Sequence, residues 1–251
     1  MANVFIGTSG WTYPSWESVF YPANLPHGQY LNFYSQHFLA TEVNYSFYRL
    51  PGLTTIENWT SQVPKEFCFA LKASRFITHV RRLKNVESAW RRFLSSAAAL
   101  GRHRGPILLQ FPENFHADAA KLADFLIMAN ETMNTQTRFR LAFEFRHESW
   151  FSQEIFNLLL AQGAALCIAD SPCYPRHDVI TTDFTYYRFH GRVELFASSY
   201  SSEDLAAEAR KIRRLLRKGI DVYAFFNNDA EAHAVQNAAV LRQSLRERMP
   251  Q

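Results

Sequence analysis

Eight short apolar segments recur along the chain, and stretches with helical periodicity separate most of them. Each segment has the length of a buried strand and is bounded by turn or cap residues. Strands that alternate with helices in this way predict an α/β fold with a parallel sheet. The predicted strands cover residues 4–8, 40–45, 67–72, 106–111, 141–145, 165–169, 185–190 and 222–226.

The closure of this sheet decides between two folds. An open doubly wound sheet favours a glycine-rich first turn of the form GxGxxG, whereas the first turn here reads GTSGW. A TIM-type (β/α)8 barrel needs about 250 residues, and the chain has 251. We therefore predict a TIM-type barrel that forms a single domain over residues 1–251. Residues 171–184 contain two prolines and no helical period, so the sixth helix is expected to be reduced or missing.

The composition excludes several classes of protein. Charged residues make up 20% of the chain and phenylalanine contributes 22 residues, which argues against a disordered or collagen-like chain. No apolar run approaches the length of a membrane span, about 18 residues, and the N-terminal residues do not resemble a signal peptide. Three cysteines suit a reducing compartment. We expect a cytoplasmic protein with no membrane partner, and the net charge of +4 permits an anionic ligand.

Polar side chains cluster at the C-terminal ends of the predicted strands, while the N-terminal halves are apolar. In a barrel these ends converge on one face, where the active sites of barrel enzymes lie. Period-two alternation also places Glu42, Asn44 and Ser46 on one side of the second strand. The candidate site residues on this face are Trp11, Glu42, Asn44, Tyr48, Lys72, His79, Gln110, Glu144, Arg146, His147, Trp150, Asp170, Arg188, His190, Asn227, Asn228 and Asp229.

Charged residues within otherwise apolar strands are the strongest part of this signal. Glu42, Lys72, Glu144, Arg146 and Arg188 all have such positions. A buried charge must be paired or it costs several kcal/mol. Two interpretations stay open: a structural brace such as a Glu144–Arg188 pair, or a polar ligand site in the mouth of the barrel.

Seven motifs occur in order and give the sequence a family resemblance. They are GTSGWTYPSW with FYP, EVNYSFYR, the lysine segment that ends in ITH, LLQFPENF, FEFRHESW, YYRFHG, and FFNND with NAAVL. In these motifs the chain resembles the YecE-like family, a domain of unknown function, from about residue 7 to residue 241. The resemblance implies a TIM-type barrel and no established reaction, so the chemistry must be argued from the residues.

The residues favour a site for a small phosphorylated or otherwise anionic ligand. Lys72, Arg146 and Arg188 supply a point charge and planar guanidinium groups for a phosphate or carboxylate. The histidines at the mouth add to this set, and aromatic side chains such as Trp11 and Trp150 could stack on a sugar or base. We expect Glu42, Glu144 and His190 to transfer protons, in a hydrolase, isomerase or lyase reaction.

Other interpretations remain open at this level. Basic segments at residues 79–84 and 211–218 suit a nucleic-acid or nucleotide binding protein, with a nuclease-like barrel as one form. Glu42, Glu144, Asp170 and His190 are residue types that bind metals, but HxH and HExxH spacings are absent from the sequence. We therefore assign no metal ligand and leave the cofactor unknown.

Overall fold

Eight parallel strands close into a barrel in the order of the sequence. The computed structural model describes residues 2–135 and 137–246. The first strand pairs in parallel with both the second and the last, which closes the sheet. The TIM-type barrel is therefore confirmed. The strands β1 to β8 are Val4–Ser9, Ala40–Val43, Cys68–Lys72, Arg104–Gln110, Leu141–Glu144, Ala165–Asp170, Phe184–Phe189 and Asp221–Phe226.

Helices cover the outside of the barrel after every strand except β6. The segment between β6 and β7, all of which is described, contains no helix, as its two prolines predict. None of the helices within the described residues combines the length and apolarity needed to cross a membrane. The helices α1 to α8 are Tyr30–His37, Tyr45–Tyr48, Leu53–Ser61, Glu87–Ala98, Ala119–Thr132, Gln153–Ala161, Ser202–Arg217 and His233–Arg246.

Side-chain caps fix where several of these helices begin. Asp118 accepts a hydrogen bond from the backbone N–H of Lys121 at the start of α5, and Ser152 caps α6 in the same way. Ser201 and Asp204 form a reciprocal capping box at the start of α7. Such caps satisfy backbone donors that have no partner within the helix.

Alternation along the strands divides the apolar core into two layers. A large cluster lies between the sheet and the helices. A smaller cluster fills the barrel, because alternate residues of each strand point inward. This inner cluster is made of small side chains, aromatic side chains and one leucine: Ala40, Cys68, Ala70, Leu108, Ala142, Ala165, Cys167, Phe184, Tyr186, Tyr223 and Phe225.

The second strand is shorter than the sequence predicts. It ends at Val43, and the chain turns at once into α2. Ser46 therefore lies on a helical turn, where its hydroxyl donates to the carbonyl oxygens of Val43 and Lys72 at 3.1 and 2.7 Å. The prediction that Ser46 shares a strand face with Glu42 is wrong, since the alternation of strand side chains stops three residues earlier.

Candidate functional site

The polar residues of the site continue the inward-facing rows of the strands. Above the apolar barrel interior, the next inward positions are charged or polar. Because parallel strands end on the same face, these side chains meet although they are distant in the sequence. The row comprises Ser9, Glu42, Lys72, Gln110, Glu144, Arg188 and Asn227.

A buried ion cluster occupies the centre of this layer. Arg188 Nη2 and Nε bind Glu42 Oε1 and Oε2 at 2.7 and 3.0 Å, and Arg188 Nη1 binds Glu144 Oε2 at 2.7 Å. Both carboxylates are 0% exposed and the arginine is 1% exposed. The bidentate geometry uses the planar guanidinium fully. The structure thus contains the predicted Glu144–Arg188 brace and extends it to Glu42.

Other polar groups complete the hydrogen bonds of these carboxylates. Ser9 and Tyr186 donate to the two oxygens of Glu42 at 2.8 and 2.7 Å. Arg146 Nε donates to Glu144 Oε1 at 2.9 Å. A buried charge is tolerated only when its partners are in place, and here two carboxylates face two guanidinium groups.

The electrostatics keep both carboxylates ionised. Burial alone would raise the pKa of Glu42, but Arg188 holds it below its usual range. Burial is likewise outweighed at Glu144, where Arg188 and Arg146 hold the pKa well below its usual range. Burial opposes the charge of Arg188, yet the two carboxylates hold its pKa well above its ordinary value. Both carboxylates are therefore hydrogen-bond acceptors at neutral pH.

A cavity of about 740 Å³ lies above the ion cluster at the C-terminal face of the barrel. Its volume is in the range of small-molecule sites. Among the charged groups of its lining, arginine and lysine outnumber acids, and Asp229 is the one acid among the described lining residues. The lining consists of Tyr13, Asn44, Phe47, Tyr48, Lys72, Arg75, His79, Gln110, Arg146, Arg188, Phe196, Asn227 and Asp229.

Lys72 is a partly buried cation of this lining. Its Nζ lies 4.3 Å from the centre of the Phe47 ring, and within the described residues it makes no ion pair. The carboxylates nearest to it in the row, Glu42 and Glu144, are already bound to Arg188. Burial, followed by the charge of Arg188, lowers the pKa of Lys72 to about 7. At neutral pH a substantial fraction of this amine is therefore uncharged.

The pKa of Asp229 is raised, whereas that of Lys72 is lowered. Burial raises the pKa of its carboxyl to about 7, and its Oδ1 is buried with no hydrogen-bond partner among the described residues. Ser15 Oγ and Trp16 Nε1 both donate to the Asp229 carbonyl oxygen at 3.3 Å, which fixes the backbone there. Tyr13 also lines the cavity, and its hydroxyl donates to the Ser9 carbonyl oxygen.

The two histidines nearest the site are uncharged at neutral pH. Burial lowers the pKa of His190 to about 4, and burial with the neighbouring Lys72 lowers that of His79 to about 4. Asn227 Nδ2 donates to His190 Nδ1 at 3.1 Å, so the ring proton is assigned to Nε2, which lies 3.5 Å from Glu144 Oε1. At this distance His190 Nε2 is buried without a hydrogen-bond partner among the described residues.

The structure brings most of the predicted site residues to this face. Those that contact the cavity are Asn44, Tyr48, Lys72, His79, Gln110, Arg146, Arg188, Asn227 and Asp229. The predicted proton-transfer residues Glu42, Glu144 and His190 are buried and belong to the ion cluster. Their catalytic role stays a prediction.

Three predicted binding residues lie in structural settings away from the cavity. Trp150 is fully buried, and its Nε1 donates to the Phe115 carbonyl oxygen at 2.6 Å. Asp170 is at an outward-facing position of β6, and its carboxylate binds Arg176 and Arg192 at 2.6 and 3.0 Å. Asn228 is fully buried, and its Nδ2 donates to Asn237 Oδ1 at 2.8 Å. Alternation along a strand explains the position of Asp170.

Two others lie in the segments that follow β1 and β5. Trp11 packs edge-on against Trp59, with ring centres 5.6 Å apart. His147 Nδ1 contacts Ser149 Oγ at 2.8 Å, and its ring lies 3.8 Å from that of His116. Neither lines this cavity. Trp11 lines a neighbouring cavity of about 410 Å³, which shares Tyr13 and Asn44 with it.

Four cavity residues were not among the predicted ones: Tyr13, Phe47, Arg75 and Phe196. Tyr13 and Phe47 lie within the motifs GTSGWTYPSW and EVNYSFYR, so these motifs could have identified them as cavity residues. Arg75 follows the strand that ends in Lys72. Phe196 lies in the loop after β7, where no periodicity or motif marked it.

The residues considered for a metal do not form one site. Asp170 is bound to arginines on the outer side of β6, away from Glu42 and Glu144. Within residues 2–135 and 137–246 there is no group of three or more histidine, cysteine, aspartate or glutamate side chains with the geometry to hold a metal ion.

The basic segments have different positions. Lys211 on α7 pairs with Asp178 at 2.7 Å, on the outer wall of the barrel. In the loop after β3, Arg82 Nη2 donates to Asn114 Oδ1 at 2.8 Å, while Arg81 and Lys84 are exposed. Of the two basic segments, only residues 79–84 adjoin the mouth of the barrel.

Comparisons with known proteins agree with this architecture. UPF0759 protein YunF of Bacillus subtilis (strain 168) is 25% identical over 265 residues, which cover 93% of this chain and 92% of that protein. A DUF72 family protein of Thermotoga maritima MSB8 is 28% identical, with a TM-score of 0.86 over 97% of this chain and 99% of that chain. A DUF72 family protein of Enterococcus faecalis V583 is 19% identical, with a TM-score of 0.82 over 97% and 95% of the two chains, and shows the shared fold.

A family model described as "Protein of unknown function DUF72" matches residues 5–251, nearly the whole chain. This match is consistent with the resemblance to the YecE-like family that the ordered motifs indicated. The chain belongs to the DUF72 family.

Proposed function

We propose that the cavity binds a small anionic molecule, with a phosphate or carboxylate group facing Arg75 and Arg146. The observation that carries this proposal is the charge of the cavity together with the ion cluster beneath it. Arg146 and Arg188 balance the carboxylates of Glu42 and Glu144. Arg75 and Lys72 then stand against one acid among the described lining residues, Asp229. An anion would thus meet uncompensated positive charge in a partly desolvated site.

Arg75 and Arg146 are suited to different parts of the ligand. Arg75 is exposed at the rim and makes no ion pair among the described residues, so its guanidinium is free to bind. Arg146 is held in place by Glu144, by the Tyr174 hydroxyl at 3.0 Å and by that ring, 4.0 Å away. A fixed guanidinium gives a preorganised contact, and a mobile one closes over the ligand.

Proton transfer within this site is supported at Lys72 and Asp229. The amine and the carboxyl line the same cavity, and the pKa of each lies near 7. Groups that titrate near the working pH are the most effective acids and bases. Glu42 and Glu144 remain the sequence-based candidates, but their ion pairs favour a role in holding Arg188 and Arg146. We propose an acid–base reaction of an anionic substrate, of the isomerase, lyase or hydrolase type.

The test measures binding of inorganic phosphate and of a sugar phosphate by calorimetry, beside the neutral sugar. Arg75→Gln and Arg146→Gln should each weaken phosphate binding by about 10- to 100-fold, the range expected for a charge-assisted hydrogen bond. Arg102→Gln is the matched control, because Arg102 is an exposed arginine before β4, at the opposite face of the barrel. Equal affinity for the sugar and the sugar phosphate would reject the proposal.

A further inference from the structure

We propose that Lys72 is a nucleophilic amine that forms an imine with an aldehyde or ketone group of the anionic ligand. The placement of Lys72 carries this inference: its amine faces the cavity against the ring of Phe47, without an ion pair among the described residues. The inference rests on the proposed function, whose arginines would hold the anionic end of the same molecule.

The surroundings of Lys72 favour reaction over simple charge pairing. A lysine that serves only to balance charge would be expected beside a free carboxylate. Here Arg188 and Arg146 already balance Glu42 and Glu144. Arg188 is the charged group that lowers the pKa of Lys72 most. Desolvation and neighbouring cations are the two conditions that activate a lysine as a nucleophile.

The protonation state agrees with this role. With its pKa lowered to about 7, a large part of the Lys72 amines is neutral at pH 7.5, against about one in a thousand for an ordinary lysine. The charged groups that act on it are Arg188, Glu42, Glu144 and Arg146, in that order after burial. His79 adds no charge at this pH, since burial and Lys72 lower its pKa to about 4.

The proposed step balances without an oxidant or a reductant. The neutral Nζ of Lys72 attacks the carbonyl carbon to form a C–N bond, and a proton moves from nitrogen to the carbonyl oxygen to give a carbinolamine. Asp229, which lines the same cavity and has a pKa near 7, donates a proton to the hydroxyl group, which leaves as water. The nitrogen then loses its remaining proton to the Asp229 carboxylate. One amine and one carbonyl give one imine and one water.

Reductive trapping tests the inference directly on the complete chain. The protein is incubated at pH 7.5 with glyoxylate, an aldehyde that carries a carboxylate, and with cyanoborohydride, which reduces an imine to a stable secondary amine. Peptide mass spectrometry then locates the added carboxymethyl group. We expect Lys72 to be labelled at least about tenfold faster than Lys84, an exposed lysine of the loop after β3, because of its larger neutral fraction.

Three variants define the background. Lys72→Met should lose the fast labelling, and Lys84→Met should keep it. Lys72→Arg provides a second variant that preserves a cation, with thermal unfolding checked for each. Labelling is read on the wild-type chain, so the conclusion does not depend on whether a variant folds.

Competition with inorganic phosphate separates this inference from the proposed function. Fast labelling of Lys72 that phosphate suppresses supports both. Fast labelling of Lys72 in a protein that shows no phosphate binding supports the amine and overturns the anion site. Phosphate binding with labelling spread evenly over Lys72, Lys84 and Lys65 overturns the nucleophilic lysine and leaves the anion site standing.

Discussion

Arg188 binds both oxygens of Glu42 from across the barrel, with its Nη2 and Nε at 2.7 and 3.0 Å from them. The two residues are on β7 and β2, and 146 positions of sequence separate them. The same guanidinium also reaches Glu144 on β5. One side chain thus ties together three strands of the barrel and forms the floor of the cavity.

Loss of this guanidinium should destabilise the fold severely. Arg188→Ala leaves two fully buried carboxylates without their main partner, and breaking such a pair costs about 3–5 kcal/mol. Urea denaturation would show this as a lower midpoint with little change in slope. Arg210→Ala, at an exposed position of α7, is the control and should change the free energy of unfolding little. A loss below about 1 kcal/mol for Arg188→Ala would contradict the role of the ion cluster.

The buried carboxylates should also make the fold sensitive to acid. The pKa values of Glu42 and Glu144 are lowered on folding from 4.5, so their contribution is present above about pH 4.5 and is lost as the pH falls further. In Glu144→Gln one such group is absent, and the slope of unfolding free energy against pH should decrease by up to about 1.4 kcal/mol per unit. Urea denaturation of both proteins at several pH values between 3 and 7 measures this slope. Parallel curves for the two proteins would count against this account.

The rate of amine modification should report the pKa of Lys72. With the pKa lowered to about 7, its rate of acetylation should level off near pH 8. An unperturbed amine keeps gaining reactivity up to about pH 10. Mass spectrometry of the Lys72 and Lys84 peptides from one sample gives both profiles. A Lys72 rate that still rises steeply above pH 9 would show an ordinary, solvated ammonium group.

Asp229 should make anion binding depend on pH. Because burial raises its pKa to about 7, the carboxyl is mostly protonated at pH 6 and mostly ionised at pH 8. Ionisation puts a negative charge into the cavity and should weaken phosphate binding. Asp229→Asn keeps the shape without the charge, so at pH 8 it should bind phosphate several-fold more tightly than the wild type does, with a smaller difference at pH 6. Calorimetry at both pH values would decide this.

A small-molecule site and a nucleic-acid site differ in their response to the loop after β3. If the cavity binds small anions, Arg81→Ala with Arg82→Ala should leave phosphate affinity within about twofold, as surface changes usually do. A short oligonucleotide whose binding falls steeply with salt and is lost in this double variant would instead favour the nucleic-acid alternative. Fluorescence anisotropy across a salt series distinguishes the two.

Several elements of the site were accessible from the sequence because they depend on local patterns. Lys72, Gln110 and Arg188 end apolar runs, and parallel strands of a barrel direct such ends to one face. The same pattern, a polar residue at the end of an apolar run, misplaced Asp170. It does not tell whether the last side chain of a strand faces into the barrel or out of it. It also misplaced Trp150, which packs in the core although it follows a strand as a loop residue would.

By itself, the sequence determined the eight strands, the absence of a helix between β6 and β7, and the face on which the polar residues gather, since spacing, prolines and periodicity act over short distances. Only the tertiary structure decided which of those charges are already satisfied. Glu42 and Glu144 are neutralised by Arg188 and Arg146, whereas Lys72 and Asp229 are left in a desolvated cavity with their pKa values moved toward 7. Pairing and desolvation depend on distances between strands far apart in the chain, and these distances exist only once the barrel has closed.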